Sequence, residues 1–112
     1  MCNYTGLFDS TMFTNNRYLN NISYMFAASS NSSPGTNNNI KQIEYTLFTK
    51  DKNPNLNNVS GFLMYQGNTR GTVPEFWKWA ISTNNRLNVF TGVSKSIGNY
   101  ADIPADWASG MI

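Results

Sequence analysis

The most regular alternation of hydrophobic and polar residues lies within residues 75–94. Trp77, Trp79 and Ile81 fall on one face of this alternation, and a period of two returns over residues 87–93. A period of two is the spacing at which successive side chains of a β-strand share a face of the sheet. The stretch therefore predicts two β-strands.

The residues between these two strands favour a tight turn. Asn84 and Asn85 stand at its centre, and Asn is the residue besides glycine that best tolerates the positive φ of a primed turn. We therefore predict a long antiparallel hairpin with Trp79 opposite Phe90. Its more apolar face is expected to pack inward.

Three further stretches, residues 22–27, 40–50 and 59–66, show weaker alternation and predict additional strands. Residues 29–39 combine serines, a Pro-Gly pair and consecutive asparagines, which is typical of an exposed and mobile loop. No internal repeat is evident at a fixed period.

The pattern as a whole predicts an all-β fold. We expect a single domain over residues 1–112, folded as a small antiparallel β-sandwich or jelly-roll-like fold, with a partly open five-stranded barrel as the alternative. The poorly patterned ends predict an N-terminal arm (1–16) and a C-terminal tail (101–112).

Asparagine dominates the polar composition. The chain has eighteen Asn, no His and a net charge of +2, so amides and hydroxyls rather than charges are expected to hydrate its surface. The dispersed charge disfavours nucleic-acid binding, even though four basic residues lie near aromatics, as in single-strand binding proteins. These residues are Arg70, Lys78, Arg86 and Lys95. No stretch approaches the roughly 18 apolar residues that a membrane span needs.

The lack of histidine removes most catalytic arrangements, among them Ser-His-Asp triads, Cys-His pairs and imidazole zinc sites. Glu44 and Glu75 remain as a carboxylate pair of the kind that glycosidases use. Six acidic residues in a small domain produce such pairs by accident. We therefore predict no enzymatic activity, no cofactor and no metal.

One polar stretch has the spacing of the start of a calcium loop. Asp51, Asn53 and Asn55 supply that spacing, but Leu56 stands where the loop needs glycine and Phe62 where it needs a bidentate glutamate. A polar turn is the better interpretation.

Aromatic residues in and near the hairpin suggest a binding face. Trp77 and Trp79, with Tyr65 on a neighbouring strand, have the apolar faces on which sugar rings stack. The two tryptophans beside Ile81 equally suit a buried sandwich core. A carbohydrate-binding, lectin-like module is therefore the alternative function.

Large apolar residues in the poorly patterned ends suggest contacts with other subunits. The candidates are Leu7, Phe8, Met12, Phe13 and Trp107. The sequence favours a non-enzymatic structural or attachment module of a larger surface assembly, such as a virion capsid, fibre or tail component or an extracellular filament subunit. Its expected partners are copies of itself, other subunits or a surface glycan, at a virion or extracellular surface.

Overall fold

The computed structural model describes residues 7–8, 11–28 and 40–112. Residues 7 and 8 are described by their backbone alone. Within them, three two-residue strands form one parallel sheet in the order β1 (Leu7–Phe8), β2 (Gln42–Ile43) and β3 (Arg70–Gly71). Four 3₁₀ helices lie at Tyr45–Leu47, Phe76–Lys78, Thr83–Asn85 and Tyr100–Asp102. The mobile loop predicted at residues 29–39 lies outside the described residues.

The prediction of an antiparallel all-β fold is wrong. The strands of the described residues are two residues long and pair in parallel, so these residues contain no sandwich, jelly roll or five-stranded barrel. The physical reason is local, because the chain curls into successive turns where extended strands were expected. Within the strand predicted at 40–50, for example, Gln42–Ile43 is extended and Tyr45–Leu47 is helical.

The predicted hairpin is replaced by helical turns. One covers Phe76–Lys78, and a second, Thr83–Asn85, includes both asparagines of the predicted primed turn. Neither asparagine has a positive φ, and within residues 75–94 positive φ occurs at Asn88 (56°) and Gly92 (79°). Residues 85–91 hydrogen-bond to residues 59–65, so they do not fold back onto the tryptophan-containing stretch.

The burial expected for the hairpin holds in part, because Trp77, on the face predicted to pack inward, is only half-buried. Trp79, Ile81 and Phe90 have exposed fractions of 5%, 7% and 0%. Their apolar character therefore identified core residues correctly, although the backbone conformation that carries them is different.

Three turn-rich segments lie side by side in the structure. We name residues 21–28 the first segment, residues 58–65 the second and residues 85–92 the third. Alternate N–H groups of the first segment donate to alternate carbonyl groups of the second at 2.8–3.0 Å. The four bonds join Ile22 to Asn58, Tyr24 to Ser60, Phe26 to Phe62 and Ala28 to Met64.

The second segment donates to the third in the same register at 2.7–3.0 Å. These four bonds join Val59 to Asn85, Gly61 to Leu87, Leu63 to Val89 and Tyr65 to Thr91. The eight bonds form a ladder across the three segments. Successive passes of the chain are thereby stacked in parallel.

Each segment is a series of turns. The N–H of Phe62, for example, donates to the Val59 carbonyl three residues back, at 3.1 Å. Positive φ values occur at matching ladder positions, namely Tyr24 (57°), Gly61 (65°) and Asn88 (56°). Because a curled chain turns successive side chains to the same side, the neighbours Phe62 and Leu63 are both fully buried.

Aromatic rings pack on one another along the direction in which the passes of the chain are stacked. Phe13 stacks on Phe48 with 4.7 Å between ring centroids, and Phe48 lies 6.2 Å from Phe76. Phe62 packs edge-on against Phe48 and Phe76 at 5.7 and 4.9 Å. One core therefore runs through the passes, and each pass packs on its neighbours as in repeat proteins.

Residues 101–112, predicted as a tail, pack onto the third segment. Ile103, Trp107 and Met111 are buried, and the Gly92 N–H donates to the Gly110 carbonyl at 2.9 Å. In the described part of the chain, no helix has the length and apolar character needed to cross a membrane.

Candidate functional site

The three aromatic residues considered for sugar binding lie in different surroundings. Trp79 is 5% exposed, and its indole N–H donates to the Asn53 carbonyl at 2.9 Å. Trp77 is half-buried and packs edge-on against Trp107 at 6.5 Å, and Tyr65 is half-buried. Among the ring contacts of the described residues, none joins two of the three candidates.

The residues considered for subunit contacts are similarly divided. Phe13 stacks on Phe48, and Trp107 is 8% exposed, so both belong to the body of the protein. Leu7–Phe8 forms β1, and its backbone is part of the parallel sheet. Of the candidates whose side chains are described, Met12 is the exposed one, at 46%.

Asn53, in the stretch with calcium-loop spacing, connects two passes of the chain. It is 0% exposed, and its amide N–H groups donate to the carbonyls of Phe13 and Asn16 at 3.1 and 3.2 Å. Its side-chain oxygen accepts the Thr49 N–H at 3.4 Å. These bonds occupy the polar atoms of the side chain, as the polar-turn interpretation requires. The described residues hold no group of three or more His, Cys, Asp or Glu arranged for a metal ion.

Two of the charged candidates pair with each other. Glu75, considered for catalysis, lies 3.0 Å from the Nζ of Lys78, considered for nucleic-acid binding. The pair is a local ion pair one helical turn apart. Such exposed pairs contribute little to stability.

A groove of about 440 Å³ separates the third segment from residues 106–109. Arg86, Leu87 and Asn88 line one wall, and Asp106 and Trp107 line the other. The sequence pattern does not indicate this groove, because its two walls come from stretches interpreted as a hairpin strand and a tail.

Arg86 connects the two walls of the groove. Its Nη1 donates to Asp106 Oδ2 at 2.6 Å, its Nε donates to the Ile81 carbonyl at 3.1 Å, and its guanidinium lies 5.1 Å from the Trp107 ring centroid. The last distance is that of a cation–π contact. The hydrogen bond from Arg86 favours the charged carboxylate and lowers the pKa of Asp106 below its ordinary value of 3.8.

Five of the six exposed large apolar side chains of the described residues lie near the two ends of the stack, and the sixth, Tyr45 at 43%, lies on a 3₁₀ helix between them. Met12, Tyr18 and Tyr24, at 46%, 90% and 55% exposure, belong to the pass that contains the first segment. Leu87 and Ile112, at 49% and 56%, lie in the third segment and in the stretch that follows it. Both ends therefore present apolar surface to solvent.

The alternation of apolar and polar residues does not predict the parallel stacking, although the sequence contains another signal for it. Asn-Asn pairs begin each of the three segments and stand at 20–21, 57–58 and 84–85. In the first two, the second Asn side chain accepts the N–H of the serine two residues on, at 2.9 and 3.2 Å. These are Asx turns. The unequal spacing of the pairs hides them from a search at a fixed period.

No family model, curated protein or solved structure matches the chain. The virion, capsid, fibre and carbohydrate-binding settings expected from the sequence therefore have no support from a relative, and the sandwich and jelly-roll expectation is overturned by the parallel fold.

Proposed function

We propose that this chain is a non-enzymatic structural module that joins other subunits of a larger surface assembly through the ends of its stack. The observation that supports the proposal is the exposed apolar surface at both ends, which includes Tyr18 and Leu87. Stacks of repeats need terminal units with a polar outer face to remain soluble by themselves. Exposed apolar surface is typical of contact sites between proteins.

The charge of the chain is compatible with close assembly. Its net charge is +2, and Lys78 and Arg86 are paired with carboxylates. Because a small net charge produces little repulsion between copies or subunits, association does not need a strongly charged partner.

Sedimentation of the native protein tests the proposal. A gentle extract of cells that express the chain at its natural level is fractionated on a gradient, and the chain is located by mass spectrometry. We expect it in fractions far heavier than its own 12.6 kDa. Recovery of all the chain at the monomer position would contradict the proposal.

Variants expressed at the same level provide the control. Tyr18→Glu combined with Leu87→Glu places a charge on the exposed apolar surface of each end, and we expect this variant to move toward the monomer fractions. Tyr45→Glu changes an exposed side chain on a 3₁₀ helix away from both ends, and it should sediment like the natural chain.

Residence at a virion or extracellular surface remains a prediction. Brief protease treatment of intact cells or particles, followed by detection of the chain, tests it directly. Loss of the chain without lysis is expected, and full protection until lysis would contradict a surface location.

A further inference from the structure

The groove between the third segment and residues 106–109 is lined mainly by polar side chains. Its volume of about 440 Å³ lies within the range of about 300–1,000 Å³ that is typical of small-molecule sites. Four uncharged polar side chains line it together with the pair of Arg86 and Asp106. They are those of Thr83, Asn88, Thr91 and Ser109. A ligand in the groove would therefore meet hydrogen-bonding groups on both walls.

The Arg86 guanidinium is already fixed in position beside Asp106. In addition to the bond from Nη1 to Asp106, its Nε donates to the Ile81 carbonyl at 3.1 Å and its Nη2 donates to Thr83 Oγ1 at 3.4 Å. One face of the guanidinium packs over the Trp107 ring. Because a side chain held in this way has little freedom left to lose when a ligand binds, the site is preorganised.

Both walls retain hydrogen-bonding capacity. A guanidinium has five N–H donors, and the bonds to Asp106, Ile81 and Thr83 use three of them. The Asp106 side chain is 63% exposed, and a carboxylate offers about four acceptor sites. The Asn88 Oδ1 accepts the Thr91 hydroxyl at 3.3 Å, whereas its Nδ2 donates to no described residue. Donors and acceptors therefore lie beside one another in the groove.

The charges of the groove favour an uncharged ligand. Arg86 and Asp106 neutralise each other, and among the described residues no other charged side chain lines the groove. A cation or an anion would have to compete with this pair. A hydroxyl group both donates and accepts hydrogen bonds, so two neighbouring hydroxyls of one ligand can bond the carboxylate and the guanidinium together without separating them.

We propose that this groove binds an uncharged polyhydroxylated ligand, of the chemical class of a sugar residue in a glycan. One hydroxyl donates to the Asp106 carboxylate, and a neighbouring hydroxyl accepts from the Arg86 guanidinium. Asn88, Thr91 and Ser109 bond the remaining hydroxyls. This binding is an activity beyond the proposed structural role and does not depend on it.

The site differs from the aromatic face predicted from the sequence. Trp77, Trp79 and Tyr65 lie outside the lining of the groove, and Arg86 covers one face of the Trp107 ring. Recognition therefore depends on hydrogen bonds rather than on stacking against an aromatic ring. Because each such bond replaces a bond to water, its net contribution is small, and we expect millimolar affinity for a single sugar residue.

Titration of the purified, isotope-labelled chain with neutral sugars tests the proposal. Methyl glycosides of the common hexoses and of N-acetylhexosamines are added, and the amide signals are followed by NMR. We expect saturable shifts at Asn88, Thr91 and Ser109, with the signal of the distant Tyr45 unchanged. Glycerol, sodium acetate and methylammonium chloride are the matched probes, and they should give no saturable shift at the groove.

A glycan array probed with the same chain extends the test to larger sugars. A blank array together with no saturable shift at the groove for any sugar overturns the proposal. Saturable binding of acetate or methylammonium in place of a sugar overturns it as well, because the ligand would then be charged. An equal response to glycerol and to every sugar would show a solvent effect and no site.

Two variants test the assigned contacts. Asp106→Asn keeps the shape of the side chain and removes its charge, and we expect it to raise the Kd about tenfold or more, since hydrogen bonds to a charged acceptor are strong. Thr91→Val removes a hydroxyl at nearly constant volume and should raise the Kd about threefold or more. Asp102→Asn, outside the groove, is the control and should bind like the natural chain. Unchanged affinity in both groove variants, with circular dichroism showing that they are folded, overturns the proposal.

The same measurements separate this inference from the proposed structural role. Leu87 lines the groove and also belongs to the exposed apolar surface of the stack, so it is left unchanged in the variants. Sugar binding by the purified monomer supports the inference, however the native chain sediments. A native chain that sediments in a large assembly but binds no sugar overturns it and leaves the structural role in place.

Discussion

At the scale of single residues, a buried amide side chain forms the connecting hydrogen bonds that charged side chains form in many proteins. Asn53 is fully buried and connects the turn at Thr49 with the carbonyls of Phe13 and Asn16. Its neighbour Asn55 is exposed and donates one bond, to the Arg17 carbonyl at 2.7 Å. The two residues differ in burial, so they form a natural pair for comparison.

We expect Asn53→Ala to lower the free energy of unfolding by about 2–3 kcal/mol, because it removes three hydrogen bonds of a fully buried side chain and takes away the acceptor of the Thr49 N–H. Asn55→Ala should cost about 1 kcal/mol or less, since water replaces its bond. Urea denaturation measures both values. Equal losses for the two variants would show that Asn53 does not hold the passes together.

Gly61 is a second residue whose identity is required by the fold, because there is no room for a side chain at this position. Its φ is 65°, and a Cβ there would overlap the ring of Tyr24 in the neighbouring segment. We expect Gly61→Ala to destabilise the chain by about 1–3 kcal/mol through backbone strain and this overlap.

A double-mutant cycle separates the two causes. In a Tyr24→Ala background the overlap disappears and the strained φ remains, so Gly61→Ala should cost less there than in the natural chain. The same loss in both backgrounds would assign the whole effect to φ.

At the scale of elements, the C-terminal stretch is held to the third segment by Trp107 and by the pair of Arg86 and Asp106. The pKa of Asp106 is lower in the folded chain than its ordinary value of 3.8. Its contribution to stability is therefore present above that ordinary value, and it is lost as the pH falls through the lower folded pKa.

Asp106→Asn should accordingly lower the Tm at neutral pH, with the difference from the natural chain shrinking below pH 3.8. The effect should be small, because the carboxylate is exposed. Asp102→Asn, in the same stretch, removes an exposed carboxylate that forms no ion pair with a described residue, so as the control it should leave the Tm at neutral pH unchanged. A difference for Asp106→Asn that persists undiminished in acid would rule out the ion pair as its cause.

Elements also show how far the sequence predicts this fold. The burial of Trp79, Ile81 and Phe90 follows from their apolar character. The conformation of the backbone that carries them does not follow from it. Alternation of apolar and polar residues cannot distinguish an extended strand from a series of turns in which every second backbone N–H donates to a neighbouring segment. The adjacent buried residues Phe62 and Leu63 were the sign of turns, and the Asn-Asn pairs were the sign of repetition.

The groove was beyond prediction for a different reason. It depends on Pro104 starting a turn at the place where a further ladder segment would lie. Neither the parallel register nor that interruption is encoded in a local pattern. Met12, one of the residues predicted as subunit contacts, is 46% exposed, and its role as a subunit contact remains a prediction.

At the scale of the whole molecule, one aromatic core crosses all the passes. Phe76 is fully buried and packs against Phe48, Phe62, Trp79 and Phe90 at 4.9–6.3 Å. A residue that contacts several passes couples their stability, so its loss should affect the entire chain.

We expect Phe76→Ala to cost about 3–5 kcal/mol, typical of a large aromatic removed from a core. Phe13 is half-buried and stacks on Phe48 from one end of the core. Phe13→Ala should therefore lower the free energy of unfolding clearly less than Phe76→Ala. Denaturation followed by tryptophan fluorescence and by circular dichroism measures both. Similar losses for the two variants would show that the core is not centred on Phe76.

The direction of the ladder bonds has a mechanical consequence. The bonds run from one pass to the next, so tension applied between the two ends of the stack pulls along them and separates whole segments. The four bonds at one boundary would share the load and break as a group. Under stretching, this chain should therefore lengthen in a few large steps, each releasing one complete pass.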